Sequence, residues 1–371
     1  MIKRILPILL FGGLALTSCN DDDEDGNNPG PQLTIPSEYL APNYDANVVT
    51  ENTVMNEFAD MVAALNAAEA NAQGGTTIES ISYPINLEAV TLPRYSTLVD
   101  EWLTELVNAA NSPTPFQNPG SAGQPIPGEQ GGLLGTRLLD ENGLELEQMI
   151  EKGSFGAALY HHALKILSAD TISASDIDRL VEIHGTEVSF DPASTNAAAL
   201  YAARRSNHDA QTGFYYDIRT NLITAKSAIE GGSAFNDIRD EAFNDYLLNW
   251  EKSNFATVIF YCEATKNLLQ EASQLSGEER EIKLGDALHA YSEGVGFTHG
   301  FRGLSQKQIT DEEIDQILAD LLAPENETPE SYRFLNEVSL IANLDKIQND
   351  IQSIYGFTNE EVSGFHVNNN P

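Results

Sequence analysis

Asn249-Trp250-Glu251-Lys252-Ser253-Asn254-Phe255-Ala256-Thr257-Val258-Ile259-Phe260-Tyr261-Cys262 opens on a mixed face and then turns apolar all round from Phe255 to Cys262. A helix that is apolar on every side must be covered by neighbours on every side, so this segment reads as the central helix of a bundle. Its surroundings have the same 3.6-residue spacing. Val54, Phe58, Met61, Val62 and Leu65 make one stripe, with Thr50 or Asn52 as caps and Gly74-Gly75 as the stop. Leu98, Trp102, Leu103, Leu106 and Val107 make another, closed by Asn111-Ser112-Pro113. A third helical stretch runs from Leu144 to Leu167. Further helices are predicted over 174–184, 193–205, 212–230, 236–272, 279–300, 311–322 and 335–354.

Strand signals are few. Ile81 to Leu92 and Thr186 to Phe190 suggest brief extended chain. Residues 112–132, rich in proline and glycine, read as a long loop, and Gly131-Gly132-Leu133-Leu134-Gly135 at its end lacks the lysine and preceding strand of a phosphate-binding loop and also reads as loop. The expected class is all-α: antiparallel helical bundles, either one or two in tandem with a seam near residues 205–235.

Twenty Lys+Arg stand against 56 Asp+Glu, a formal charge of −36. That balance argues against nucleic acid as a partner, since tracking a phosphate backbone needs clustered cations. Two cysteines exclude a disulfide framework and any multi-cysteine metal site. Cys262, alone in an apolar helix, reads as a small core residue.

The first 18 residues have the anatomy of an export signal: Lys3 and Arg4, then the apolar run Ile5–Leu16. That run is too short to cross a bilayer, which takes about 20 residues. Leu16-Thr17-Ser18-Cys19 resembles the bacterial lipobox, in which the cysteine is acylated and becomes the first mature residue. Behind it, Asp21-Asp22-Asp23-Glu24-Asp25 repel one another, and residues 19–37 read as an acidic flexible tether before a body spanning 38–371. Asp21, Asp23, Asp25 and Gly26 imitate the start of a calcium loop, but Gln32 stands where a bidentate Glu is required. The acidic run also resembles the tag by which some Gram-negative lineages send lipoproteins to the cell surface. The expected location is the outer membrane, on its periplasmic or outward face, with the lipid as the membrane contact.

The chemistry-bearing stretch is Leu284 to Phe301. On a helix Asp286, His289 and Glu293 fall at i, i+3 and i+7 on one face. A buried carboxylate–imidazole–carboxylate row must be paired or hold a cation, so these three are the candidate metal or ligand residues. Gly294, Gly296 and Gly300 each cost about 1 kcal/mol of helix propensity against Ala, which points to close helix approach or a break. Weaker candidates are Glu251, a turn from Asn254; His162, on nearly the same face as Glu151; and His208, followed by Gly213, Phe214 and Tyr215. A catalytic set is not evident: His-Glu-x-x-His and Gly-x-Ser-x-Gly are both missing from the sequence.

With Trp250-Glu251-Lys252 opening a central helix and His289-Ala-Tyr-Ser-Glu293-Gly-Val-Gly-Phe297 on a later one, the chain resembles the lipoprotein family catalogued as domain of unknown function 4856. The resemblance runs from about Tyr39 to Tyr355. That family is similar in setting and helical character to imelysin-like lipoproteins, double helical bundles associated with iron uptake. The resemblance implies an envelope role in iron or haem handling, beside an outer-membrane receptor or an imelysin-like partner. Imelysin-like proteins carry His-x-x-Glu; here the spacing is His289-x-x-x-Glu293, which keeps the pair on one helix face but does not carry over the peptidase label. Three readings stay open: a non-catalytic component binding a divalent metal, iron or haem; an accessory lipoprotein docking on an outer-membrane transporter, or capturing glycan through Tyr215 and Tyr216; and a metal-dependent peptidase.

Overall fold

The computed structural model describes residues 31–112, 115–116 and 131–371. The leader, Cys19, most of the tether and most of the loop at 112–132 lie outside them. The protein is all-α, with helix outweighing strand by 67% to 3%. Among the described residues no helix is long and apolar enough to cross a membrane.

After a single turn, α1 (Tyr44–Asn47), come α2 (Val49–Gln73), the short α3 (Ile85–Val90) and α4 (Pro93–Ala110). Proline fits the first turn of α4 because the N–H it lacks would have no helical partner there. A hairpin, β1 (Gly132–Leu134) with β2 (Arg137–Leu139), follows. Then α5 (Leu146–Ser154), a π-helical segment (Phe155–Tyr160) and α6 (His161–Leu167) form the predicted 144–167 stretch. Ser173 and Asp176 form a capping box at the head of α7 (Ala174–His184), and Gly185 ends it at φ +96. The predicted bounds of this helix hold to the residue.

Next are α8 (Ala197–Arg204), a ribbon of β3 (Ser206–Asn207) with β4 (Thr212–Gly213), and α9 (Phe214–Gly231). The spine is α10 (Asn236–Ala272), 37 residues and so about 55 Å long. It packs against α8, α9, α11 (Gly277–His299), α13 (Ile341–Tyr355) and α14 (Asn359–Phe365). Between α11 and α13 lies α12 (Asp311–Asp320), headed by a Thr310–Glu313 capping box. Leu33–Pro371 gather into one compact unit, and residues 205–235, where a seam is expected, hold the β3–β4 ribbon and all of α9.

Two extended readings are corrected. Ile81 to Leu92 carries α3, where Glu57 accepts from the backbone N–H groups of Asn86 and Leu87 and so holds the first helical turn. Thr186 to Phe190 is turn and irregular chain, with Phe190 at φ 50. The Gly131–Gly135 run is not plain loop, since it supplies β1.

The segment that decides the fold lies deep in the core. Trp250 packs edge-on against Tyr160, Tyr246 and His184. His184 is fully buried, neither ring nitrogen has a hydrogen-bond partner, and burial pushes its pKa down to about 3. Cys262 is a buried free thiol, pushed up to about 12 by burial, which fits a core role. Far along the chain Arg205 is also buried. Its guanidinium donates to the carbonyl oxygens of Phe365 and Val367 and to the side chain of Asn368, while lying over the Phe260 ring.

Candidate metal centre

Close contact between α5 and α11 creates the site, and glycines permit it. A Cβ at Gly296 would stand 2.8 Å from the Gln148 carbonyl oxygen, and one at Gly300 would stand 2.2 Å from that of Gly153. A Cβ at Gly156 would in turn meet the backbone of Gly300 at 2.7 Å. At Gly294 the nearest neighbour, the Tyr261 side chain, is 3.4 Å away. Thus Gly296 and Gly300 answer to close approach, and Gly294 does so far less.

Ahead of α5 the chain is bent by Asp140, whose Oδ1 accepts from the N–H groups of Asn142 (2.9 Å) and Leu144 (2.7 Å). Gly143 takes φ +86 in this turn. Glu145 follows, its N–H donating to Ser292 Oγ on α11 at 2.9 Å. Glu145 and Glu147 are thereby driven inward against the face of α11 that carries His289 and Glu293.

Glu145 is 0% exposed. Its Oε2 lies 2.7 Å from His289 Nδ1, while its Oε1 has no hydrogen-bond partner. One oxygen from each of Glu69 (α2), Glu145 and Glu147 lies within 4.8 Å of the others. Burial, then the charge of Glu69, a hydrogen bond shared with the Glu69 carboxyl and the charge of Glu293 push Glu145 well above the carboxylate range, with Arg137 working the other way. Glu147 is pushed up to about 8 by burial and by the charges of Glu145, Glu69 and Glu151. Burial lowers the His289 pKa against the opposing pull of Glu293.

The other side of His289 is suggestive. Its Nε2 stands 3.6 Å from Glu293 Oε2, beyond hydrogen-bond range. Two ligands on one ion at roughly 2.1 Å sit about this far apart. Held at Nδ1 by Glu145, the ring is oriented as metal-ligating histidines are, with the second nitrogen free. Glu293 Oε1 accepts from Tyr261 at 2.8 Å and faces Lys152 Nζ at 3.6 Å. Burial works against the Lys152 charge, but Tyr201, Glu151 and Glu293 outweigh it and hold its pKa above the usual amine value.

Of the expected row, His289 and Glu293 stand beside the three carboxylates, His289 bonded to Glu145 at 2.7 Å and 3.6 Å from Glu293. Asp286 turns outward to Arg137, Oδ1 to Nε 3.3 Å. The weaker candidates are placed elsewhere. Glu251 accepts from the N–H groups of Gln308 and Ile309 and from Tyr355, so it pins the chain entering α12. His162 pairs with Glu51 at 2.8 Å rather than with Glu151, which is bonded to Lys152. His208 contacts Tyr216 Oη and the Asn369 carbonyl, tying the ribbon to the chain after α14. Tyr215 and Tyr216 are buried, which removes the exposed aromatics expected of glycan capture. Glu69, Glu145 and Glu147 were not among the sequence candidates. Their one sequence signal is indirect: glycines at 153 and 156 answering those at 296 and 300.

No family model matches the chain, and no curated protein or solved structure does either.

Proposed function

We propose that this protein is a cell-envelope lipoprotein that holds a metal ion without catalysing a reaction, as a component of iron or other metal acquisition. One observation carries the reading: the enclosed Glu145 carboxyl group, with an oxygen that no donor group reaches, beside the oxygens of Glu69 and Glu147. Among the described residues, the five carboxylates of Glu69, Glu145, Glu147, Glu151 and Glu293 meet Arg137 and Lys152 as their cations, and Arg137 is shared with the outward Asp286. An excess of enclosed negative charge is resolved by protons or by a cation. Clustered carboxylate oxygens suit Mn²⁺, Fe²⁺ or Zn²⁺, and the His289 ring, bonded to Glu145 at 2.7 Å, braces one of them. Donor atoms so close fit a single ion, whereas an organic ligand takes a pocket of roughly 300 Å³ or more, so the reading favours a bare metal ion over haem. The strongly acidic chain would raise the local concentration of cations around it. The resemblance to imelysin-like lipoproteins makes iron the natural first choice, and an outer-membrane receptor or imelysin-like protein the natural partner.

The test is thermal unfolding of the purified protein with Mn²⁺, Fe²⁺ and Zn²⁺, together with its metal content. At a hundredfold excess over Kd a ligand of the native state stabilises it by about 2.7 kcal/mol. Glu145→Gln and His289→Ala should each abolish the rise. Wild-type protein indifferent to all three ions refutes the site. For location, Cys19→Ala should move the protein from the membrane to the soluble fraction; continued fractionation with membranes would refute the lipid anchor.

A further inference from the structure

The two fixed cations of the cluster differ in one respect. Lys152 is sealed in: it is buried, bonded to Glu151 at 2.7 Å, and seated over the rings of Tyr201 and Phe155. Arg137 lies at the edge with its side chain 27% exposed. It approaches Glu145 Oε1, the unbonded oxygen, with Nη1 only to 4.0 Å, which is attraction by charge without a hydrogen bond. Its Nε is directed instead to Asp286, itself 31% exposed on the outer side.

The backbone bearing Arg137 is fixed while the side chain is free to leave. Arg137 pairs with Leu134 across the hairpin. The hairpin is seated on α11 at two glycines: a Cβ at Gly135 would stand 2.6 Å from the Ile282 Cα, and one at Gly285 would stand 2.3 Å from the Leu134 carbonyl oxygen. A long arginine stem on such a support can swing its head into water while Asp286 retains it.

Resting on the metal-binding reading above, we infer that Arg137 is a tethered counter-cation of the empty site, and that a small divalent metal ion enters by displacing its guanidinium from Glu145. The incoming ion replaces one charge with two at the same carboxylate. The guanidinium swings away from Glu145 toward solvent, keeps its Nε contact with Asp286 and stays within reach to compete. Affinity is thereby set below what the ligands alone would give, a useful property in a carrier that must also release its ion. Asp286, expected from sequence to be a ligand, becomes the residue that retains the displaced arginine.

The test is calorimetric titration of the purified protein with Mn²⁺ and with Zn²⁺. Arg137→Met should bind about tenfold more tightly than wild type, and Arg137→Lys should stay near wild type because the competing charge is kept. The metal-free Arg137→Met protein should melt lower than wild type, and saturating metal should raise it by more than it raises wild type. If Arg137→Met fails to fold, Arg137→Gln carries the same expectation with a polar head retained. Wild type that binds, with neutral variants binding equally or less tightly, overturns the exchange and leaves the metal site standing. Wild type and both neutral variants that bind neither ion overturn the metal site itself. A neutral variant that binds where wild type does not supports the exchange in its strongest form.

Discussion

Gly300→Ala should destabilise the protein by about 3 kcal/mol or more, at the upper end of overpacking costs. The added methyl would lie 2.2 Å from the carbonyl oxygen of Gly153, which is backbone and cannot rotate aside. Helix propensity opposes this by only about 1 kcal/mol in favour of Ala. Two positions on the same helix calibrate the effect. Gly296→Ala, 2.8 Å from the Gln148 carbonyl oxygen, should be damaging but less so. Gly294→Ala, whose nearest neighbour is a side chain at 3.4 Å, should be close to neutral. Chemical denaturation measures all three, and an unchanged m-value assigns the loss to stability. Equal midpoints for Gly300→Ala and wild type would show that α5 and α11 do not touch as described.

His184→Phe should change the pH dependence of stability by about one proton, reaching about 4 to 5 kcal/mol between pH 6.5 and 3. The sign follows from burial. The His184 pKa is pushed down to about 3 in the fold, while the unfolded chain keeps a value near 6.5. Above pH 6.5 both states are neutral and the full stability is present. As pH falls only the unfolded state takes up the proton, so stability drains away until about pH 3. Phenylalanine carries no such proton, so the variant should gain on wild type at about 1.4 kcal/mol per pH unit across that window, whatever its stability at pH 7. The difference between the two proteins is the quantity to measure. Asp140, pushed up to about 7 by burial, and Glu147, pushed up to about 8, contribute in the opposite sense over an overlapping range. Both are common to the pair and cancel if the sites are independent. Parallel pH profiles would mean that His184 is protonated or hydrated in the fold.

The helices were legible because their signals are local. The bounds of α7 and α10 follow from caps, glycines and apolar spacing, and the structure reproduces them. The hairpin at Gly132–Leu139 was missed because three-residue strands have too little period to read. The site was half legible. His289 and Glu293 share a helix, so spacing alone unites them. Leu144-Glu145-Leu146-Glu147 reads as the acidic first turn of a helix, where the macrodipole favours carboxylates in water. Nothing local says that Glu145 is enclosed or that its partner stands 144 residues away. The same limit applies to His162, whose partner Glu51 is 111 residues distant, and to Asp286, drawn off by an arginine on a hairpin whose first strand reads as loop.

The buried Arg205 sets a clock. Its guanidinium donates to the carbonyl oxygens of Phe365 and Val367, the first of them 160 residues further on. At roughly 5 to 20 residues per second, synthesis of that interval takes roughly 8 to 32 s. Throughout that time the segment around Arg205 has no means of burying the charge, and the spine helix α10 lacks the cover of α13 and α14. Closure of the fold is therefore a late event in the life of each molecule, set by translation and not by the intrinsic speed of helix formation. A chain held open for tens of seconds is available to targeting and translocation machinery that handles only unfolded polypeptide, which suits the envelope location proposed here.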